Sequence, residues 1–343
     1  MLCRNCGNGE KAKVTLQNSF LYAVIKRLLT SFIVIFLLIS FIFILIRLSP
    51  GDPALKYISA TLDTQLADRV IESFNLDKPI TNQYFTFVKN LFVGDFGISI
   101  SFRQPVLEVI SDYFIFTFIF STIALVIQFF VSLLLVRFSF KRKNKLLDKS
   151  LNKLSLVVYV IPSFVLGLVL IYLFSVKLNL LPISGLRSIN YDDYNYLEKF
   201  LDLLSHLILP IITLTAAGIA IFYRYLRDSI EEISKQSFIT NIKAMGVEEK
   251  VIFYKHILPN AIRPLISVAG VEYGILLGGS LITEVIFSLP GMGQLTVSAI
   301  FNRDFPLVMG CSFIAGVMII FSNLLADLIK IKIDKRLVSE LIR

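Results

Sequence analysis

The chain has 343 residues, 55% of them hydrophobic and 17% charged, with a mean hydropathy of +0.75. A soluble domain carries about 25% charged residues, so the composition argues against one and for an integral membrane protein. The net charge of +9 is the excess that basic loops supply on one side of a membrane, and no nucleic-acid partner is expected.

Residues 1–27 form a basic tail with Arg4, Lys11, Lys13, Lys26 and Arg27. Its Cys3 and Cys6 make a lone C-x-x-C with no further ligand nearby, so no metal is assigned to it. The first apolar run, Leu28 to Ile46, exceeds a signal-peptide core and lacks an A-x-A-like cleavage site, so residues 28–47 are predicted to be a membrane anchor. Residues 48–112 contain no further span and read as one extracytoplasmic segment rich in helix-compatible polar sequence.

Residues 113–329 hold the other apolar runs: Tyr113 to Val136, Leu154 to Val176, Leu207 to Tyr223, Pro264 to Ser288 and Phe305 to Ala326. Each has about the 17–25 residues that cross a hydrocarbon layer. The loops after the second and fourth runs and the tail 330–343 are rich in Lys and Arg, while the alternate connections are poor in base or balanced by acid. This alternation predicts six crossings with both termini inside. In the loop after the second run, seven basic residues face one acid, Asp148.

The loop of about 224–263 holds "KAMGVEEKVIFYKHILPN" (243–260), the most polar long stretch of the chain. Val247, Val251, Tyr254 and Leu258 recur at helical spacing and predict an apolar stripe. Gly246 breaks the helix so that two short helices meet at an angle, and Pro259, which has no N–H, ends the second or starts the next. Read from the pattern alone, this is equally a partner-binding segment or a solvated surface helix.

No G-x-x-x-x-G-K-S/T loop is present, so no nucleotide site is expected, and no cofactor. An intramembrane enzyme needs a nucleophile with a base, paired acids or H-E-x-x-H within the spans; none is seen, and no catalytic residue is assigned. A self-sufficient ion-coupled carrier is the alternative, but no inverted repeat is seen and five of the six spans carry no formal charge. The chain therefore reads as a pathway driven by a partner.

Charge within the spans is confined to the fifth run, at Glu272 and Glu284. An acid at membrane depth is a pathway candidate. For Glu272, pathway lining and helix–helix pairing weigh equally. For Glu284, local pairing near "SLPGMG" is favoured, because water at the interface is close. Gly274, Gly278 and Gly279 are expected to pack helices closely. Pro162 and Pro210 mark kinks or span ends. His206 and His256 are placed on separate loops near opposite faces and make no metal site.

The ordered set "LSPGDP" (48–53), "LDKPITNQY" (76–84), "GDFGIS" (94–99), "IPSFVLG" (161–167), "LPISG" (181–185), "HLILP" (206–210), "RYLRDSIEE" (224–232), "EVIFSLPGMGQL" (284–295) and "NRDFP" (302–306) resembles the permease subunits of dipeptide, oligopeptide and nickel ABC importers. Such permeases carry E-A-A-x-x-x-G and then a Leu-Pro ending. Gly246 and Leu258-Pro259 match; Thr240-Asn241-Ile242 depart from E-A-A, and Lys335 stands where proline is usual. The resemblance implies an all-α polytopic membrane protein, an ABC importer type I permease fold of six transmembrane helices with a cytoplasmic coupling helix. It implies a bacterial or archaeal cytoplasmic membrane and a cargo of peptide or nickel. It also implies a second homologous permease, two cytoplasmic ATPase subunits, an extracytoplasmic solute-binding protein and contact with membrane lipid. Ala244, Met245, Gly246, Val247, Glu248, Leu258 and Pro259 would then contact the ATPase.

Overall fold

The structure is a computed structural model that describes residue 25 and residues 29–45, 79–141 and 146–333. Cys3, Cys6, Lys335, both ends of the chain and all of residues 48–78 lie outside the described residues. The described secondary structure is helical apart from one isolated antiparallel bridge, Ile98 to Pro105.

In chain order, α1 is the apolar helix Leu29–Leu45. It meets α2 (Ile80–Val93) through stacked Phe43 and Phe87 and a Ser40–Tyr84 hydroxyl contact of 2.6 Å. Gly94 closes α2 at φ +79, its N–H bonded to Leu91, a left-handed cap that suits glycine. Helix α3 is Val106–Lys141 and starts seven residues before the predicted second run. Pro105 supplies the carbonyl for its first turn, and Val106, Val109 and Ile110 are buried there.

The third predicted span is broken. Helices α4 (Leu146–Val160) and α5 (Ser163–Leu170, continued by a wide turn, Ile171–Lys177) meet at 99°. The cause is Pro162, which denies Ile161 helical backbone and itself adopts ψ 134 at the head of α5. The 39-residue α6 (Tyr196–Ser234) contains Pro210 and opens on an Asn195–Glu198 capping box. There the Asn195 side chain accepts the Glu198 N–H while Glu198 accepts the Asn195 N–H, satisfying two otherwise unpaired donors.

After α7 (Ser237–Ala244) and α8 (Glu249–Ile252), a wide turn over Phe253–Ile257 leads into α9 (Leu258–Leu277). Pro259 sits in the first turn of α9. Its ring crowds the carbonyl four residues back, and widening that turn makes room. Helices α10 (Leu281–Ile286), α11 (Met292–Phe301) and α12 (Phe305–Ile333) complete the chain.

Among the described residues, four helical stretches are long and apolar enough to cross a membrane: Val106–Phe140, Tyr196–Ser234, Glu249–Ile286 and Phe305–Lys330; the bent α4–α5 pair makes a fifth. The expected six full-length crossings are not reached by this measure, since α1 is shorter among the described residues. The fifth predicted run, Pro264 to Ser288, is interrupted at Gly278–Ser280, where Gly279 takes φ +110.

Helices α9 and α12 touch at backbone distance. A methyl group on Gly270 would lie 2.2 Å from Ala326 Cβ, and one on Gly274 would lie 3.0 Å from Ile319 Cα. Ser322 adds a hydroxyl bond of 2.7 Å to the Gly270 carbonyl. Small residues thus set the packing here, as expected for Gly274. Gly279 instead abuts the Gly293 backbone, where a Cβ would sit 2.8 Å from the amide nitrogen.

Candidate functional site

The end of the bundle bearing α7 and α8 has an apolar base. Ile239, Ile252, Phe253 and Ile257 are buried with Phe222, Tyr223 and Leu226 of α6 and Ala261 and Leu265 of α9. Phe253 stacks on Phe140 of α3 at 4.0 Å between ring centres, and Arg137 lies over the Tyr254 ring at 5.7 Å. The stripe expected from Val247, Val251, Tyr254 and Leu258 is displaced: these are half-buried at the rim, and the fully buried residues are Ile252, Phe253 and Ile257. The wide turn over Phe253–Ile257 departs from the 3.6-residue period, so regular spacing selects the wrong face.

On this base stands a protruding turn. Ala244, Met245, Gly246 and Glu248 are exposed, Met245 at 77%, while Val247 and Leu258 pack against the core and Pro259 is exposed at the next turn. Gly246 has φ +78, and a methyl group placed on it would meet nothing within 4 Å. The glycine is required by backbone conformation, not by lack of room. An exposed apolar tip on a buried, aromatic-stacked root is suited to insertion into a partner's groove and to passing a push into α6 and α9.

A polar clamp holds α4 beside this base. Arg227 Nη1 of α6 donates to Asp148 Oδ1 at 2.6 Å and to the Tyr223 hydroxyl at 3.2 Å. The Ser139 hydroxyl of α3 donates to Asp148 as well, and Asp148 is 3% exposed. Asp148 is the single acid among the bases of its loop, and that isolation is the signal the sequence carries for this clamp.

Glu284 is fully buried and does not reach water. Its Oε2 accepts the backbone N–H of Gly293 at 2.6 Å and of Gln294 at 3.2 Å, and its Oε1 accepts the hydroxyls of Ser280 at 3.0 Å and Thr117 at 3.2 Å. Thr117 also accepts the Met292 N–H at 2.8 Å. The first N–H groups of α11 have no partner within that helix, and this carboxylate satisfies them. Gly291 and Gly293 leave space for it: a methyl group on either would fall 2.4 to 2.9 Å from its atoms. "EVIFSLPGMGQL" is thus an acid and the turn folded round it.

Glu272 of α9 is half-buried. Gln128 is fully buried, with its amide nitrogen 3.4 Å from the Leu214 carbonyl of α6. A methyl group on Gly218 would lie 2.3 Å from the Gln128 amide carbon. Gln128 was not singled out in the sequence, because one amide in an apolar run shows no periodicity. His206 and His256 are not in loops: His206 lies within α6, its Nδ1 2.8 Å from the Asp202 carbonyl, and His256 lies in the wide turn before α9. No cluster of three metal-ligating side chains occurs among the described residues.

The family described as binding-protein-dependent transport system inner membrane component matches residues 134–339, and its N-terminal counterpart matches residues 20–121. The chain is 31% identical over 314 residues to a probable peptide ABC transporter permease protein, y4tP, of Sinorhizobium fredii, covering 92% of this chain and 98% of that one. It is 30% identical over 315 residues to the oligopeptide transport system permease protein AppB of Bacillus subtilis, covering 92% and 98%. It is 30% identical over 306 residues to the glutathione transport system permease protein GsiC of Escherichia coli K12, covering 89% and 95%. A solved structure of inward-facing MetNI methionine ABC transporter aligns with a TM-score of 0.49 at 16% identity, over 69% of this chain and 98% of that one. The chain belongs to the binding-protein-dependent transport system inner membrane component family.

Proposed function

We propose that this chain is the membrane-spanning permease subunit of an ABC importer for peptides and forms half of its translocation pathway. It pairs with a second, homologous permease. Two cytoplasmic ATPases drive it, and an extracytoplasmic solute-binding protein feeds it. Family membership supports the class, and the peptide cargo rests on relatives named for peptide, oligopeptide and glutathione transport. Six crossings, both termini inside and 48–112 outside remain the topology that the basic loops favour. Glu272 faces the pathway, whereas Glu284 anchors α11.

The observation that carries the coupling role is the exposed Ala244–Gly246 tip on its buried base. In this reading Ala244, Met245, Gly246, Val247 and Glu248 enter a groove of the ATPase, and Leu258 and Pro259 begin the helix that receives the force. The test is uptake in proteoliposomes. ATP-dependent accumulation of a labelled dipeptide, requiring both the ATPase and the binding protein, is expected. Accumulation by this chain alone under an ion gradient contradicts the proposal.

A further inference from the structure

Helices α4 and α6 leave a groove of about 220 Å³ between them. Leu151, Leu154 and Val158 of α4 and Ala216 and Ile219 of α6 line it, and Leu135 of α3 completes the wall. Leu154 is exposed, so the groove opens sideways. It extends from Leu151 to Val158 on one helix and from Tyr223 to Ala216 on the other, which is about 10 Å of helix. Its mean cross-section is therefore about 20 Å². That admits one unbranched hydrocarbon chain and not a helix, which is about 10 Å across. Water does not suit the groove, because a buried water needs several polar partners and the polar side chains on the wall are committed. The Ser155 hydroxyl donates to the Asn152 carbonyl at 2.9 Å, and the Tyr223 hydroxyl lies 3.1 Å from that of Ser139 and accepts from Arg227 at 3.2 Å. A peptide would leave its amides unpaired there, and an empty groove would forfeit contacts along both walls.

The end of the groove at Tyr223 adjoins the Asp148–Arg227 clamp. A guanidinium has five N–H donors. Arg227 gives three hydrogen bonds among the described residues, two to Asp148 and one to Tyr223, and its side chain is 29% exposed. Two donors are left for a further acceptor. The nearby acids are matched, Asp148 by Arg227 and Glu231 by Lys235 at 2.8 Å, while the loop that leads into α4 is strongly basic. Such a surface draws anionic headgroups. We infer that the groove is a phospholipid site: one acyl chain of an anionic phospholipid lies between α4 and α6, and its phosphate reaches the remaining N–H groups of Arg227. The site requires only that the chain lies in a membrane, so it is independent of the peptide cargo.

The test uses the full complex in nanodiscs of phosphatidylcholine that contain phosphatidylglycerol with a photoreactive diazirine on one acyl chain. Labelling is expected to map to Leu154, Val158, Ala216 or Ile219. Ala216→Phe and, from the opposite wall, Val158→Phe fill the groove and should each lower that labelling at least about tenfold, the equivalent of losing the burial of two methylenes. Unlabelled phosphatidylglycerol should displace the probe about tenfold better than diacylglycerol with the same chains, the scale of a lost hydrogen bond to a charged group. The map of the parent decides even where a variant fails to assemble. Labelling spread evenly over the outer faces of the helices, labelling that survives both substitutions, or equal displacement by diacylglycerol overturns the site. So does a parent whose groove stays unlabelled while cross-linking places the second permease on α4 and α6.

Discussion

The Ser99 hydroxyl donates to Asp304 Oδ2 at 2.5 Å, across 205 positions of sequence. The same oxygen accepts the Ser101 N–H at 2.9 Å, and Asp304 Oδ1 lies 3.4 Å from the Leu307 N–H at the start of α12. Two of the short motifs, "GDFGIS" and "NRDFP", therefore meet: the loop before α3 is tied to the head of α12 by one fully buried acid. Asp304→Ala leaves buried donors unpaired and should destabilise the protein by about 1–3 kcal/mol. Ser99→Ala should cost less, because the Ser101 bond remains. Thermal unfolding of the purified protein checks the order; an Asp304→Ala variant melting with the parent refutes the tie.

Glu284 should behave in the same way at the neighbouring junction. Glu284→Ala removes the partner of two N–H groups at the head of α11 and should cost about 1–3 kcal/mol. Gly293→Ala should do comparable harm by a different route, since its Cβ would lie 2.6 Å from Leu281 Cα and 2.9 Å from the Glu284 carboxylate. The measurement is abundance in the membrane and melting temperature. Normal values with altered uptake would instead place Glu284 in the pathway.

The α9–α12 contact permits a rescue experiment. Gly270→Ala puts two methyl groups at 2.2 Å, so helices must separate, at a cost of about 1–3 kcal/mol for overpacking. Ala326→Gly removes the other methyl group and should restore most of the melting temperature in the double variant. Additive losses would show that the two residues do not meet.

The Arg227–Asp148 clamp gives a fourth prediction. Arg227→Met leaves a buried carboxylate with the Ser139 hydroxyl but without its cation. Removing one member of a buried pair costs about 3–5 kcal/mol, reduced here because the Arg227 side chain is 29% exposed. Asp148→Asn with Arg227→Met should recover much of the loss, as read by melting temperature. No recovery in the double variant argues against the pair.

Much of this was legible beforehand. Long apolar runs mark α3, α6 and α12 because burial in lipid demands nothing of the sequence but length and hydropathy. Gly246 and Pro259 announced the helix breaks around α8 because backbone rules act locally. What escaped was set by contacts between distant residues. Pro162 is expected to mark a kink or a span end, but the apolar run continues past it, so the 99° size of the bend was not legible. The buried face of the 247–258 segment moved because a wide turn changes the period. Gln128 and Asp148 gain meaning from α6, over 70 residues away, and no local pattern reports that.

In the proposed importer the tip at Gly246 couples this chain to an ATPase. Gly246→Val must place a β-branched side chain at φ +78, where such residues are strained. Because no neighbour lies within 4 Å of the added carbon in this chain, the spans should still insert, and the harm should fall on the partner interface. The most direct measurement is copurification of the ATPase with Gly246→Val, alongside Lys250→Gln as an exposed control, together with substrate-stimulated ATP hydrolysis in proteoliposomes. Gly246→Val should lose ATPase association or stimulation by about tenfold or more, the equivalent of roughly 1.4 kcal/mol, with Lys250→Gln near the parent. A Gly246→Val complex that assembles, hydrolyses and transports like the parent would contradict it.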